Sequence, residues 1–140
     1  MPFQRILVAI DGSESSEHAL TTGLELAALM HATVLALAVE GPLPAYAATV
    51  GEVEEVQREK DAFFSELVDR VRERAVAAGV EIEIDVRPGH AAELIVHHAA
   101  DRQADLIVLG HRGHFLRDRM LGSTADRVAE HAACPVMIVR

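Results

Sequence analysis

The sequence predicts an α/β protein: a doubly wound, five-stranded parallel sheet with helices on both faces. Three observations predict it. Five short strand-like runs alternate with four runs of helical periodicity along the 140 residues, and strands joined by helical crossovers lie parallel with right-handed connections. Two of those runs, Ile6-Leu-Val-Ala-Ile10 and Leu106-Ile-Val-Leu109, are wholly apolar, as strands covered on both faces are. Both break sharply into glycine-bearing turns, Asp11-Gly12-Ser13 and Gly110-His111-Arg112-Gly113, which end a strand and lead toward a helix.

The first strand spans Phe3–Asp11, and Ser13 with Glu14 and Glu17 opens the helix that follows, a cap and early acids that suit the helix dipole. Ala19, Leu20, Leu24, Ala27 and Ala28 keep helical spacing to about Met30, and Thr33–Glu40 is a second buried strand. Gly41–Gly51 is irregular, because Pro42 and Pro44 forbid regular helix or a central strand. Glu52–Ala78 is a long amphipathic helix with Phe63, Leu67, Val71 and Ala75 on one stripe, stopped by Gly79. Val80–Arg87 alternates apolar and polar residues, as a half-buried edge strand does. Pro88-Gly89 breaks the chain before a helix over His90–Arg102. Asp105–Gly110 is the fourth strand, Ser123–Ala133 the last helix and Pro135–Arg140 the fifth strand.

With 50% hydrophobic residues, the length suits one core, so residues 1–140 are read as a single domain. No apolar run approaches the roughly 20 residues that cross a membrane, and no secretion signal opens the chain; the expected location is the cytoplasm. The lone Cys134 excludes an internal disulfide and suits a reducing compartment. Beside Pro135 it reads as a small buried hydrophobe. A net charge of −9 disfavours nucleic acid or an anionic membrane as partner. Yet residues 110–127 set Arg112, Arg117, Arg119 and Arg127 against only Asp118 and Asp126. A basic patch confined to a glycine loop favours a small anion.

The chemistry concentrates between the fourth strand and the last helix. Gly110, Gly113 and Gly122-Ser123-Thr124 would gather backbone N–H groups and a helix N-terminus around one concavity, the arrangement that holds phosphate. It is not a P-loop: no Gly-x-x-x-x-Gly-Lys-Ser/Thr occurs, and Lys60 is the only lysine. Backbone, hydroxyls and Arg112 would do the holding, although Arg112 also fits a solvated loop. Asp11 and Gly110 both end strands and so belong on the rim where doubly wound sheets take ligands. Asp11 can accept from ribose hydroxyls or approach phosphate-bound Mg²⁺, and it can also close an Asx turn. Ser123 and Thr124 can serve phosphate or cap the helix.

Three segments, ILVAIDGSESSEHAL, DLIVLGHRG and LGSTADRVAEHAACPVMIVR, together make the chain resemble the universal stress protein family over essentially its whole length. The resemblance implies a Rossmann-like sheet of order 3-2-1-4-5 and a homodimer. One branch of the family binds ATP through Gly-x2-Gly-x9-Gly-Ser/Thr; another lacks the motif and does not. Here HFLRDRML puts eight residues between Gly113 and Gly122, so the glycines and the hydroxyl are kept while the loop is one residue shorter. By the same resemblance, Ala38 offers backbone groups to adenine, Ala9 and Ile10 line the base, Leu109 lies close to it, and Ala125 belongs to the phosphate-side helix start.

Other chemistries find less support. Glu93 and His97 are i,i+4 neighbours beside His98, but no second cluster completes a zinc set. There is no Gly-x-Ser-x-Gly, no general base and no lysine placed to stabilise transferring charge. The functional expectation is an adenine-nucleotide-binding stress-response regulatory module. Its ligand would be ATP, with ADP or AMP as alternatives and Mg²⁺ as a companion. It would act as a homodimer through the C-terminal strand, with a protein partner the sequence does not name. A nucleotide-free dimeric scaffold and a slow ATPase or phosphotransferase are the alternatives.

Overall fold

A computed structural model describes residues 3–41, 49–111 and 122–140. Along them run β1 (Arg5–Ile10), α1 (Glu14–Met30), β2 (Thr33–Glu40), α2 (Val50–Ala78), β3 (Ile82–Pro88), α3 (Ala91–Asp101), β4 (Leu106–Gly110), α4 (Ser123–His131) and β5 (Val136–Val139). Most boundaries differ from the sequence reading by one or two residues, and two of the shifts have a visible cause. α2 starts earlier because Thr49 caps it: its hydroxyl oxygen accepts from the Glu52 N–H at 3.1 Å and meets the Glu52 carboxylate at 3.0 Å. The Thr-x-x-Glu spacing is that of a capping box, with the Thr49 hydroxyl rather than its backbone N–H donating to the Glu52 carboxylate, and it sits in a stretch that the prolines mark as irregular. α4 stops at His131 rather than Ala133, since Ala132 is already extended.

The sheet is parallel throughout, with strand order β3-β2-β1-β4-β5. This is the order the resemblance implies, and it places the switch point between β1 and β4. β1 stays in register with β2 as far as Ile10 opposite Ala38, and β4 with β5 as far as Gly110 opposite Val139. Between β1 and β4 the register ends two residues sooner, at Val8 opposite Val108. The two central strands therefore part company at their carboxyl ends.

Alternation along the strands divides the core into two layers. Ile6, Val8 and Ile10 face Leu20, Leu24 and Ala27 of α1 and Leu67, Val71 and Ala75 of α2. Leu7, Leu35 and Ile107 face Ile95 and Ala99 of α3 and Ala125 and Val128 of α4. Full burial of such side chains contributes roughly 1.5–3 kcal/mol each. Phe63 departs from its predicted stripe. It is 41% exposed and lies outside the core, with its ring edge-on to Phe64 at a centroid distance of 5.1 Å. β3 is an edge strand, as its alternation predicts. Its polar residues take part in ion pairs, Glu83 with Arg5 and Arg102, and Asp85 with Arg87. Cys134 is half-buried against the α3–α4 layer, and burial pushes its thiol pKa up.

His98, on α3, is only 8% exposed. Burial holds its pKa below the ordinary 6.5; Arg87 and Arg102 act the same way, while Asp85 and Asp101 oppose them. An unfolded chain would protonate this imidazole first as pH falls, so stability is full above about 6.5 and declines below it. His98→Gln is expected to flatten the fall in unfolding free energy between roughly pH 7 and pH 5. Denaturant titrations at several pH values check this, and an unchanged slope in the variant contradicts it.

Candidate functional site

The parting of β1 and β4 opens a cleft at the carboxyl edge. Its lining comes from Ala9, Ile10 and Asp11 at the end of β1, Ser16 of α1, and Val39 of β2. Ala91 and Ile95 of α3, Leu109 and Gly110 of β4, His111, and Gly122, Thr124 and Ala125 at the start of α4 complete it. The floor is apolar, Ala9, Val39, Ile95 and Leu109, with polar groups gathered toward Asp11 and α4. A flat apolar ring system fits such a floor, and the polar rim suits its hydrophilic appendages.

Local hydrogen bonds fix the β1–α1 corner. The Asp11 carboxylate accepts from the Ser13 N–H at 2.9 Å, closing an Asx turn. Ser13 caps α1, its hydroxyl oxygen accepting from the Ser16 N–H at 3.1 Å. The Ser16 hydroxyl donates to the Ser13 carbonyl at 3.0 Å and accepts from the Asp11 N–H at 3.3 Å. Gly12 lies between these bonds at φ +83°, a left-handed conformation that favours glycine. Asp11 thus performs its structural role and lines the cleft as well.

Gly110 has a reason the sequence did not show. A Cβ built on it would lie 2.6 Å from the Ser15 carbonyl oxygen, so glycine is required for α1 to pack against the end of β4. The Gly122 N–H donates to the His111 carbonyl at 2.7 Å, which holds the start of α4 against the end of β4. Gly122 is the N-cap of α4, and among the described residues no side chain caps that helix. Ser123 and Thr124 are accordingly not caps but the first two helical residues. Among the described residues no side-chain acceptor meets the first-turn N–H groups of α4, and the dipole places partial positive charge there.

Of the residues singled out in the sequence, Ala9, Ile10, Asp11, Leu109, Gly110, Gly122, Thr124 and Ala125 come together on this cleft. Ser123 is exposed beside it. Ala38 is wholly buried in the α1–α2 layer, and its neighbour Val39 is the β2 residue on the cleft. Strand alternation turns the two side chains to opposite faces, and the expectation for Ala38 concerns its backbone groups, which this burial leaves untouched. Arg112, Gly113, Arg117 and Arg119 lie outside the described residues, as does all of HFLRDRML. Sequence reasoning missed Ser16, Val39, Ala91, Ile95 and His111. The Pro88-Gly89 break was the available signal for Ala91, since it puts the start of α3 on the same rim. Glu93 and His97 line a different groove, with Arg127 and His131 between α3 and α4, whereas His98 is buried. Among the described residues no group of three or more His, Cys, Asp or Glu could hold a metal ion.

A doubly wound parallel sheet with an apolar cleft, a carboxylate and an uncapped helix start at its switch point is a Rossmann-like α/β protein with the architecture of a small-ligand site. The chain belongs to the universal stress protein family, whose model matches residues 2–140. It is 33% identical to Universal stress protein YxiE of Bacillus subtilis over 147 residues, covering 99% of each chain. Universal stress protein UspA from Lactobacillus plantarum shares the fold at TM-score 0.86 and 26% identity, over 100% of this chain and 99% of that one. A universal stress protein solved in complex with cAMP is similar at TM-score 0.77 and 26% identity, again over 100% and 99% of the two chains.

The close approach at Gly110 makes its role separable from ligand binding. Gly110→Ala is expected to destabilise the ligand-free protein by about 1–3 kcal/mol, because Ser15 main chain cannot yield to the new methyl group as a side chain could. Chemical denaturation without nucleotide checks this. Unchanged stability would mean that the α1–β4 contact does not require glycine.

Proposed function

We propose that the cleft binds an adenine nucleotide and that the protein is a regulatory module reading nucleotide state in the stress response. The observation that carries this is the uncapped N-terminus of α4, through Gly122, Thr124 and Ala125, on the same cleft as Asp11 and an apolar floor. Ala9, Val39, Ile95 and Leu109 accept the base. Asp11 faces the ribose hydroxyls or a phosphate-bound Mg²⁺, using carboxylate lone pairs beyond the one engaged by Ser13. The N–H groups of Ser123, Thr124 and Ala125 take phosphate oxygens, with the Ser123 and Thr124 hydroxyls beside them. Arg112 and Gly113 belong to the same expectation on sequence grounds. The bound cAMP of the similar solved structure supports an adenine ligand here.

ATP, ADP and AMP are all candidate ligands, and the loop length bears on the choice. Eight residues between Gly113 and Gly122 shorten the reach by about 3.6 Å at most relative to nine. The His111–Gly122 bond and the α4 start do not depend on that spacer, so the inner phosphates keep their donors. Affinities for AMP, ADP and ATP are therefore expected to lie within about tenfold, or 1.4 kcal/mol, by calorimetry with Mg²⁺ at one salt concentration. A hundredfold preference for ATP contradicts this, and saturable heat from none of the three favours a nucleotide-free scaffold. The Ser15 contact, which explains Gly110 without any ligand, is the observation behind that second reading. Slow turnover of ATP is a separate matter that phosphate release would measure.

The proposed assembly is a homodimer through β5, in the cytoplasm. β5 is an outer strand with Met137 36% exposed and Val136, Ile138 and Val139 half-buried, and pairing with a second copy would satisfy its open edge. Among the described residues no helix is long and apolar enough to cross a membrane. Light scattering at micromolar concentration is expected to give twice the chain mass; a monomer contradicts the dimer.

A further inference from the structure

Phe63 is a large aromatic residue that the hydrophobic core does not use. It lies on α2, in the layer opposite α3 and α4, and neither Phe63 nor Gly12 lines the cleft. The tip of its ring is aimed at Gly12: a Cβ built there would lie 2.6 Å from Cζ and 3.4 and 3.5 Å from the two Cε atoms. The ring thus occupies the space that a side chain at position 12 would need. Gly12 is the residue across which the Asp11 carboxylate reaches forward to accept from the Ser13 N–H. Phe64, edge-on to Phe63 and packed against the core, supports the ring from behind.

We propose that Phe63 is a positioning residue, clamping the Asp11-Gly12-Ser13 turn from the outer face so that the Asp11 carboxylate keeps its direction toward ligand. This rests on the adenine-nucleotide reading only for the ligand half; the clamp itself is a property of the free protein. Glycine at position 12 supplies the left-handed turn, yet it also gives the backbone freedom to leave it. A ring against its open side removes that freedom without blocking the cleft.

The test uses Phe63→Ala and Phe63→Leu in the full chain. The alanine variant is expected to stay folded, because Phe63 is partly exposed and outside the core. Its Ser13 amide should exchange with solvent at least tenfold faster than in the parent, with exchange at buried Leu7 and Ile107 unchanged, and leucine should restore most of the protection. The dissociation constant for AMP should rise about fivefold or more, and that rise should vanish in an Asp11→Ala background. Unchanged Ser13 exchange overturns the clamp. An AMP effect that persists without Asp11 overturns its action through that carboxylate. If the parent protein binds no AMP, the nucleotide reading fails while Ser13 exchange still decides the clamp.

Discussion

Everything at the carboxyl edge depends on how far β1 and β4 remain paired. Their register ends at Val8 and Val108, although β1 follows β2 to Ile10 and β4 follows β5 to Gly110. The two strands are held from outside and released from each other. Right-handed twist and crossovers to opposite faces require a gap at such a switch point. Ala9 and Leu109 become part of its floor because they point to the same face as Leu7 and Ile107 two residues earlier. The same periodicity that builds the α3–α4 core thus carries an apolar surface out to the rim.

Three glycines around that gap do three different jobs. Gly12 supplies a left-handed turn, Gly110 lets α1 come close to β4, and Gly122 begins a helix without a side-chain cap. Only the last stands at a helix start on the cleft that, among the described residues, has no side-chain cap. A glycine pattern is therefore a mixed signal, in which structural and ligand-facing reasons share one spacing. The two helix starts differ in the same way. α1 is closed by Ser13, whereas α4 is open, and an open helix start is the one suited to an anion.

Much of this was legible in the residues. Wholly apolar strands such as Ile6–Ile10 and the β–α alternation give the architecture, because burial on both faces leaves no other pattern. The rim position of Asp11 follows from its place after a strand. What stayed hidden depends on three-dimensional packing. Ala38 and Val39 differ only in which face they present, which the alternation of an all-apolar strand does not mark. Ile95 and Ser16 reach the cleft from helices whose docking angle no local pattern records, and the contact that makes Gly110 obligatory involves Ser15, far away in sequence. Phe63 kept the spacing of a core stripe but lies past the end of the core, over a turn. The capping pair of Thr49 and Glu52 is marked by its own three-residue spacing, and the prolines just before it carry the stronger and opposite signal of irregular chain.

The central claim is that one cleft at the β1–β4 switch point takes an adenine nucleotide with its phosphate toward α4. Amide chemical shifts recorded during titration with AMP test it most directly, because they report position as well as affinity. The account predicts saturable shifts at Ala9–Ser13, Val39 and Gly122–Ala125, with Thr21 and Arg74 on the α1–α2 face unmoved. Shifts confined to other surfaces, or none at millimolar AMP, would contradict it.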